Sequence, residues 1–286
     1  MAQYYSPLRY PGGKNCIFPF MVRFLEMNHM VGCSYAEPFA GGAGLALHLL
    51  LEGFVDKIYI NDYDRAIYAF WHAVINETDR LCQWIRDVEV SMRTWEWAKQ
   101  VYTQRREDIF ELAKATFFLN RTNVSGIITG GPIGGNEQLG KYKIDARFKK
   151  VDLIDRIEKI AQYKKRIEIS NLEGMDFLRK INRKHNDVFV YLDPPYVKKG
   201  AELYMNYFIR EDHIALRNAV AKLRKKWLIS YDNQDIIKEL YSIYESVLYR
   251  LSQCASNRTD TEILICSHLL RFEDSINYLK NPKRLC

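Results

Sequence analysis

The feature that most constrains the fold of this chain is a series of short apolar segments separated by helical patterns. Helical patterns such as 212–223 (DHIALRNAVAKL) and 235–241 lie between most of these segments. The strand-like segments are 34–39 (SYAEPF), 57–60 (KIYI), 166–170 (RIEIS), 188–192 (VFVYL), 227–230 (WLIS) and 262–266 (EILIC). Near-continuous apolar strands that alternate with helices indicate an α/β fold with a mostly parallel sheet covered on both faces.

The composition fits a globular protein and argues against secretion or membrane insertion. Of the 286 residues, 48% are hydrophobic, which is enough for a substantial core. The N-terminal segment lacks the apolar run of a secretion signal, and the apolar stretch 45–51 is too short to cross a bilayer. The six cysteines form no CxxC pair, so we expect reduced thiols and no zinc site. We therefore expect a cytoplasmic protein without a membrane partner.

The alternation of strands and helices is interrupted between residues 66 and 165. This stretch begins with long helical patterns rich in tryptophan and charge, and then becomes a loop-like segment at 120–136, crowded with Gly, Thr and Asn. We interpret 66–165 as an insertion that forms a small lobe. Residues 1–65 and 166–286 would then form the α/β core domain.

The charge distribution is compatible with a polyanionic partner. The formal net charge is +7, and the segment 141–166 contains ten Lys or Arg residues against four Asp or Glu. The segment 222–226 (KLRKK) is also basic. Solvated helix faces explain each segment equally well, so charge alone does not decide between the two interpretations.

The strand 188–192 ends in Asp193-Pro194-Pro195-Tyr196, a turn that could polarise an amino group. The amino nitrogen of adenine is a poor nucleophile because its lone pair is delocalised into the ring. The Asp193 carboxylate and the Pro194 carbonyl could accept both N–H protons and localise that lone pair, and the prolines restrict the turn. Tyr196 offers a ring face for a purine. A rigid turn with an ordinary exposed aspartate is the alternative.

A glycine-rich turn, 37–44 (EPFAGGAG), follows the first strand signal. Glycines let the backbone approach a ligand closely and turn sharply into a helix. Asp62 ends the next strand, about 20 residues further on, where an acidic residue commonly binds ribose hydroxyls in dinucleotide folds. These features indicate a nucleotide-type cofactor site, and a simple tight connection is the alternative. The sequence contains no GxxxxGK[ST] phosphate loop, which argues against a kinase or an ATPase.

A third segment, 7–14 (PLRYPGGK), is by itself only a turn with a basic residue on each side. In the order 7–14, 37–44 and 193–196, however, the three segments resemble Dam-type, or D12 class, N6-adenine DNA methyltransferases of the alpha group. That family has a [KR]-[WY]-x-G-G-K segment, an E-P-F-x-G-G-G-type loop and D-P-P-Y. Further stretches in the style of the family are 117–126 (FFLNRTNVSG), 130–135 (GGPIGG), 141–149 (KYKIDARFK) and Asp176-Phe177.

The resemblance implies a Rossmann-like class I methyltransferase fold, S-adenosylmethionine as the cofactor, and no metal. Phe39 and Gly41 would approach the methionine part of the cofactor, and Asp62 its ribose. Asp176 would hold the adenine of the cofactor by a hydrogen bond, and Phe177 by ring contact. The complete cofactor set implied by the resemblance is Tyr10, Gly12, Lys14, Phe39, Gly41, Asp62, Asp176, Phe177 and Asp193.

The resemblance also implies catalytic roles for Asp193, Pro194, Tyr196 and Lys14, with Lys14 between the cofactor and the target adenine. The insertion would be a mainly helical target-recognition domain in which 120–126 reads the DNA. The DNA-binding residues implied are Arg9, Arg121, Asn123, Val124, Ser125 and Gly126, with Arg121 on a phosphate.

The sequence departs from the family pattern at two places. Ala43 stands where the third glycine of the cofactor loop is expected, which puts close backbone approach at that position in question. Val124-Ser125-Gly126 replaces the aromatic residue and Asn-Gly pair of some Dam-type members. The recognition sequence of any one member is therefore not transferable.

The resulting hypothesis is direct in-line methyl transfer to N6 of an adenine flipped out of double-stranded DNA. Two alternatives stay open at this stage, an RNA adenine N6-methyltransferase and a nucleic-acid-binding module without catalysis. A cognate restriction endonuclease is a candidate partner, and we expect a monomer.

Overall fold

The computed structural model describes residues 4–10, 12–104, 107–197, 208–252 and 259–285. Within these ranges eight strands form one sheet in the order β3-β2-β1-β4-β5-β7-β6-β8. The strands are β1 (Ser34–Glu37), β2 (Lys57–Asn61), β3 (Ile167–Ser170), β4 (Val188–Leu192), β5 (Trp227–Asp232), β6 (Ser246–Ser252), β7 (Thr259–Cys266) and β8 (Lys283–Leu285). The predicted α/β class with a mostly parallel sheet is confirmed.

Strands β1 to β5 pair in parallel, and β6, β7 and β8 join the sheet by antiparallel pairing. All six strand signals of the sequence are present in the sheet, whereas β6 and β8 were not predicted. Strand β6 (SVLYRLS) mixes polar and apolar residues, and β8 is three residues long and largely exposed. Such strands lack the continuous apolar character by which the buried strands are recognised.

The helices cover both faces of the sheet. Within the described ranges they are α1 (Phe18–Met27), α2 (Gly44–Leu51), α3 (Arg65–Asn76), α4 (Thr78–Asp87), α5 (Met92–Gln104), α6 (Ile109–Thr122), α7 (Lys150–Ala161), α8 (Gly174–Asn182), α9 (Arg210–Ala221) and α10 (Asp235–Leu240). Helices α1 to α7 share one hydrophobic core, and α8 to α10 pack in a second. Strand β4 serves both cores, because Phe189 and Tyr191 point into the first and Val188, Val190 and Leu192 into the second.

The segment 66–165 lies between β2 and β3 and shares its core with the rest of the chain. Phe70 of α3 stacks on Phe117 of α6, with ring centroids 5.4 Å apart, and both belong to the core that also contains residues of α1 and α2. The described residues of the segment therefore pack in the same core as α1 and α2, and a separate target-recognition lobe stays a prediction. The loop predicted at 120–136 begins only after Thr122, because α6 extends to that residue.

Four of the six cysteines lie within the described ranges, and all four are free thiols: Cys16, Cys33, Cys82 and Cys266. Cys254 and Cys286 lie outside the described residues. Across the part of the chain that the structure describes, no cluster of His, Cys, Asp and Glu side chains could hold a metal ion. None of the described helices combines the length and the apolar character that crossing a membrane requires.

The strand order switches at β1: β2 and β3 lie on one side of it, and β4 and β5 lie on the other. In open α/β sheets, ligands bind beyond the carboxyl ends of the strands at such a switch point. The glycine-rich turn follows β1, and Asp193 follows β4. The topology therefore brings two of the predicted motifs to the same crevice.

Candidate active site

The glycine-rich turn is braced on both sides at Gly41. Its N–H donates to Asp62 Oδ2 at 2.8 Å, and its carbonyl accepts from Trp71 Nε1 at 2.9 Å. Gly41 has a φ of +47°, and a Cβ built there would lie 2.6 Å from Cζ of Tyr10. Only glycine meets both requirements without displacing the tyrosine ring. The turn and the N-terminal segment are thus packed together through Tyr10 and Gly41.

Ala43, the departure from the glycine pattern, takes a left-handed conformation with φ +46° at the start of α2. This conformation costs a non-glycine residue roughly 1–2 kcal/mol. Its methyl group is 1% exposed and belongs to the first hydrophobic core. The methyl group therefore packs in the core at the start of α2.

Asp62 is positioned by the backbone at the end of β2. Oδ1 accepts from the Asp64 N–H at 2.9 Å, and Oδ2 accepts from Gly41. Burial raises the pKa of Asp62 to about 7; the charge of Asp64 adds to this shift, and the two backbone donors oppose it. Each oxygen keeps a second lone pair, so the carboxylate can still accept hydrogen bonds from hydroxyl groups.

Lys14 connects the N-terminal segment to the Asp193-Pro194-Pro195-Tyr196 turn. Its Nζ lies 2.9 Å from Asp193 Oδ2, 2.7 Å from the Tyr196 hydroxyl and 3.0 Å from the Gly12 carbonyl. The Lys14 side chain is only 5% exposed. A lysine this buried is not the surface charge that its position in a turn would suggest. Pro11, in the same segment, lies outside the described residues.

The turn after β4 is held by residues of β5 that the sequence did not single out. Ser230 Oγ donates to Asp193 Oδ1 at 2.9 Å, and Asp232 Oδ1 accepts from the Val197 N–H at 3.1 Å. Ser230 is fully buried, and Asp193 keeps a quarter of its side chain exposed. Pro194 is buried, and the Tyr196 ring is partly exposed. The Asp193 carboxylate is therefore fixed in orientation and remains reachable from the crevice.

Glu262 is the functional candidate that the sequence analysis missed altogether. It is 1% exposed, and its oxygens accept from the hydroxyls of Tyr196 and Tyr249, both at 2.5 Å. Because β7 runs antiparallel, its first residues lie at the edge where the parallel strands end, and Glu262 pairs with Asp232 and Tyr249 across the sheet. The sequence signal for Glu262 was an acidic residue in an apolar strand. Whether that residue reaches the crevice depends on the direction of the strand.

The residues predicted to hold the adenine of the cofactor are less clearly placed. Asp176 is exposed and forms an ion pair with Arg179 on α8. Phe177 is 1% exposed and packs in the second hydrophobic core, so its ring is not part of the crevice surface. Phe39 is partly buried and lies against Gly174, where a Cβ would approach its ring to 2.8 Å. Phe39 therefore lines the crevice, whereas Phe177 supports the helix behind it.

The predicted DNA-reading loop is built on the N-terminal segment. Asn120 is fully buried and binds both backbone groups of Arg9, accepting from its N–H and donating to its carbonyl, each at 2.8 Å. The side chain of Asn123 is also buried, donating to three loop carbonyls and accepting from Trp95 Nε1 at 2.7 Å. A Cβ at Gly126 would overlap the carbonyl oxygen of Arg9. Asn120, Asn123 and Gly126 thus shape the loop.

Other residues of this loop remain available to a ligand. Val124 is 55% exposed, and Ser125 follows it in a left-handed conformation with φ +57°. Arg9 donates from Nη1 to the Asn123 carbonyl at 2.9 Å and keeps part of its side chain exposed. Arg121, on α6, donates from its guanidinium to the backbone carbonyls of Arg147 and Pro7. The loop therefore presents an apolar tip next to the partly exposed guanidinium of Arg9.

The residues at the β1–β2 side of the crevice fit a nucleoside-bearing cofactor. Asp62 offers acceptors for ribose hydroxyls, the Tyr10 ring packs on the Gly41 turn, and Phe39 supplies an apolar wall. An alternating sheet with such a turn after β1 and Asp-Pro-Pro-Tyr after β4 defines the class of Rossmann-like methyltransferases.

Comparison with known proteins gives the family within that class. Residues 10–253 match the D12 class N6 adenine-specific DNA methyltransferase family, and the chain belongs to that family. It is 26% identical over 215 residues to the type II methyltransferase M.CviBI of Paramecium bursaria Chlorella virus NC1A, covering 74% of this chain and 78% of the relative. It is 22% identical over 287 residues to M1.LlaDCHI of Lactococcus lactis subsp. cremoris, a type II methyltransferase, covering 91% and 94%.

Among solved structures, the chain is similar to a putative RNA methyltransferase from Pyrococcus horikoshii, with a TM-score of 0.43 and 8% identity, covering 91% of this chain and 86% of the other. The family membership and the role in DNA methylation rest on the family match and on the two sequence relatives. The sequence-based prediction of the family is confirmed.

Proposed function

We propose that this protein transfers a methyl group from S-adenosylmethionine to N6 of an adenine flipped out of double-stranded DNA. The observation that carries the proposal is that the N-terminal segment joins the other two motifs, through Lys14 to the Asp193 turn and through Tyr10 to the glycine-rich turn. Lys14 Nζ binds Asp193 Oδ2 at 2.9 Å and the Gly12 carbonyl at 3.0 Å, while the neighbouring Tyr10 ring covers Gly41. An amine acceptor and a cofactor turn are thereby held beside one crevice.

The residues of this chain act mainly by position and by hydrogen bonding. S-adenosylmethionine, when bound, supplies an electrophilic methyl group, and Asp62, Gly41 and Phe39 are the residues that would hold it. The Asp193 carboxylate and the Pro194 carbonyl would accept the two N–H groups of the target amine and localise its lone pair. Such preoriented acceptors act most strongly in a crevice from which water is excluded. No strong base is required of Asp193 for this role.

The DNA-binding part of the proposal rests on a cluster of arginines beside the crevice. Burial, together with the neighbouring charges of Arg9, Arg156 and Arg147, lowers the pKa of Arg121 to about 9, and Asp152 opposes this shift. A bound anion would reduce the repulsion between these like charges. We propose that DNA phosphates fill this role and that Arg9 and Val124 lie against the base edges.

The decisive experiment is expression in a cell without DNA methylation, followed by single-molecule sequencing of its genome. We expect N6-methyladenine at one short sequence, and the purified protein should methylate duplex DNA and not ribosomal RNA. Methylation of ribosomal RNA alone would favour the RNA methyltransferase alternative, and cofactor binding without transfer to either would favour a non-catalytic module. Cognate restriction enzymes and a monomeric state remain predictions.

A further inference from the structure

The Lys14 ammonium lies between two carboxylates that differ in exposure. Asp193 Oδ2 is 2.9 Å away, and Glu262 Oε1 is 3.7 Å away on the opposite, buried side. The Asp193 side chain is 25% exposed, and that of Glu262 is 2% exposed. One carboxylate is therefore reachable from the crevice, and the other is not.

This arrangement creates a conflict with the proposed reaction. Asp193 has to accept a hydrogen bond from the target amine, yet Oδ2 faces Lys14 and Oδ1 accepts from Ser230. Each oxygen keeps a second lone pair, so an arriving amine would share Oδ2 with the ammonium, and an oxygen shared with a cation is a weaker acceptor than a free one. Removing a buried ammonium from its counter-ion is strongly unfavourable unless a second carboxylate receives it.

We propose that Glu262 is a positioning residue that receives the Lys14 ammonium when the target amine binds Asp193 Oδ2. The inference rests on the proposed function, because it assigns Asp193 to the amine. Lys14 would release one oxygen of Asp193 and move closer to Glu262. The ammonium would keep its charge compensated throughout, and the acceptor would become free only when a base fills the crevice.

The surroundings of Glu262 suit this role. Tyr196 and Tyr249 each donate a hydroxyl hydrogen bond to it, and the pairing of Tyr249 with Glu262 across β6 and β7 fixes its position. The Tyr196 hydroxyl lies 2.7 Å from Lys14 Nζ, so it contacts both partners of the exchange. A small shift of the ammonium therefore needs no rearrangement of the strands.

The test is a double-mutant cycle read by single-turnover methyl transfer, using S-adenosylmethionine and a duplex containing the mapped site. The variants are Glu262→Gln, Lys14→Gln and the double variant, with Glu245→Gln as a control at a surface ion pair with Arg284. We expect Glu262→Gln to slow transfer about tenfold, within the usual coupling between residues of one network, with little change in DNA or cofactor affinity. The double variant should be no slower than Lys14→Gln, and the control should match the wild type.

The outcomes separate the inference from the proposed function. A wild-type rate for Glu262→Gln, or rate losses that multiply in the double variant, would overturn the inference while the reaction itself stands. No transfer by the wild-type protein would overturn both. Should Glu262→Gln fail to fold in a thermal melt, Tyr249→Phe replaces it in the same cycle. Removing one donor to Glu262 should slow transfer about threefold, and only when Lys14 is present.

Discussion

Replacing Asp193 with alanine should abolish most methyl transfer and leave the fold nearly unchanged. The change removes one of two acceptors for the target amine, and loss of one preoriented hydrogen-bonding group typically costs about 10²–10³ in rate, or roughly 3–4 kcal/mol. The lost contacts are those to Lys14 at 2.9 Å and to Ser230 at 2.9 Å. Both act on the position of the carboxylate, and neither is part of the hydrophobic core.

The stability cost of Asp193→Ala is expected to be small because two effects limit it. A charge-assisted hydrogen bond contributes roughly 1.5–3 kcal/mol, and less here because the side chain is partly exposed. Moreover, the buried Lys14 ammonium is not left without a counter-ion, because Glu262 Oε1 lies 3.7 Å from its Nζ. We therefore expect a change in unfolding free energy within about 1–2 kcal/mol.

The assay is single-turnover transfer of a labelled methyl group to duplex DNA, with cofactor affinity measured by calorimetry and stability by thermal melting. Asp235→Ala is the matched control, because that aspartate is 91% exposed and pairs only at the surface with Lys238. A transfer rate within tenfold of the wild type, with an unchanged melt, would refute the acceptor role. Loss of cofactor binding together with the rate would place Asp193 in the cofactor site instead.

Three further predictions address the turn, the loop and the cofactor. Gly41→Ala should cost roughly 1–3 kcal/mol of stability and weaken cofactor binding, because φ is +47° and a Cβ would lie 2.6 Å from an aromatic ring. The control Gly53→Ala, with φ +81° and open space around the Cβ, should cost only the backbone strain. Equal melting temperatures for the two variants would contradict this prediction. Asn120→Ala should destabilise the protein by about 2–4 kcal/mol and weaken DNA binding, because it removes buried hydrogen bonds. The control Thr116→Val lies one turn earlier on α6. It should be neutral or slightly stabilising, because the Thr116 hydroxyl has no hydrogen-bond partner among the described residues. Because burial raises the pKa of Asp62 to about 7 and hydroxyl donors favour the ionised carboxylate, cofactor affinity measured by calorimetry should fall as the pH drops from 8 to 6. Asp62→Asn should remove that pH dependence, and a pH profile unchanged by this substitution would argue against a ribose ligand.

The fold class and the order of the motifs could be predicted from the sequence without any structure. Buried parallel strands are recognisable because both faces are apolar, so 188–192 and 227–230 were found, and turns that require glycine or proline mark their ends. Asp193 was identified by the chemistry of its turn, whereas the roles of Lys14 and Gly41 came from the resemblance to the family. These properties depend on local composition, which a sequence carries directly.

The tertiary structure decides which of these residues come into contact and what surrounds them. The local sequence does not contain that information. Glu262 lies at the crevice because β7 runs antiparallel, and no local pattern reveals the direction of a strand. Phe177 and Asn123 turn inward because burial and hydrogen-bond partners come from distant segments. The position and surroundings of Lys14 likewise depend on carboxylates at the end of β4 and on β7, since electrostatic interactions act through space and not along the chain.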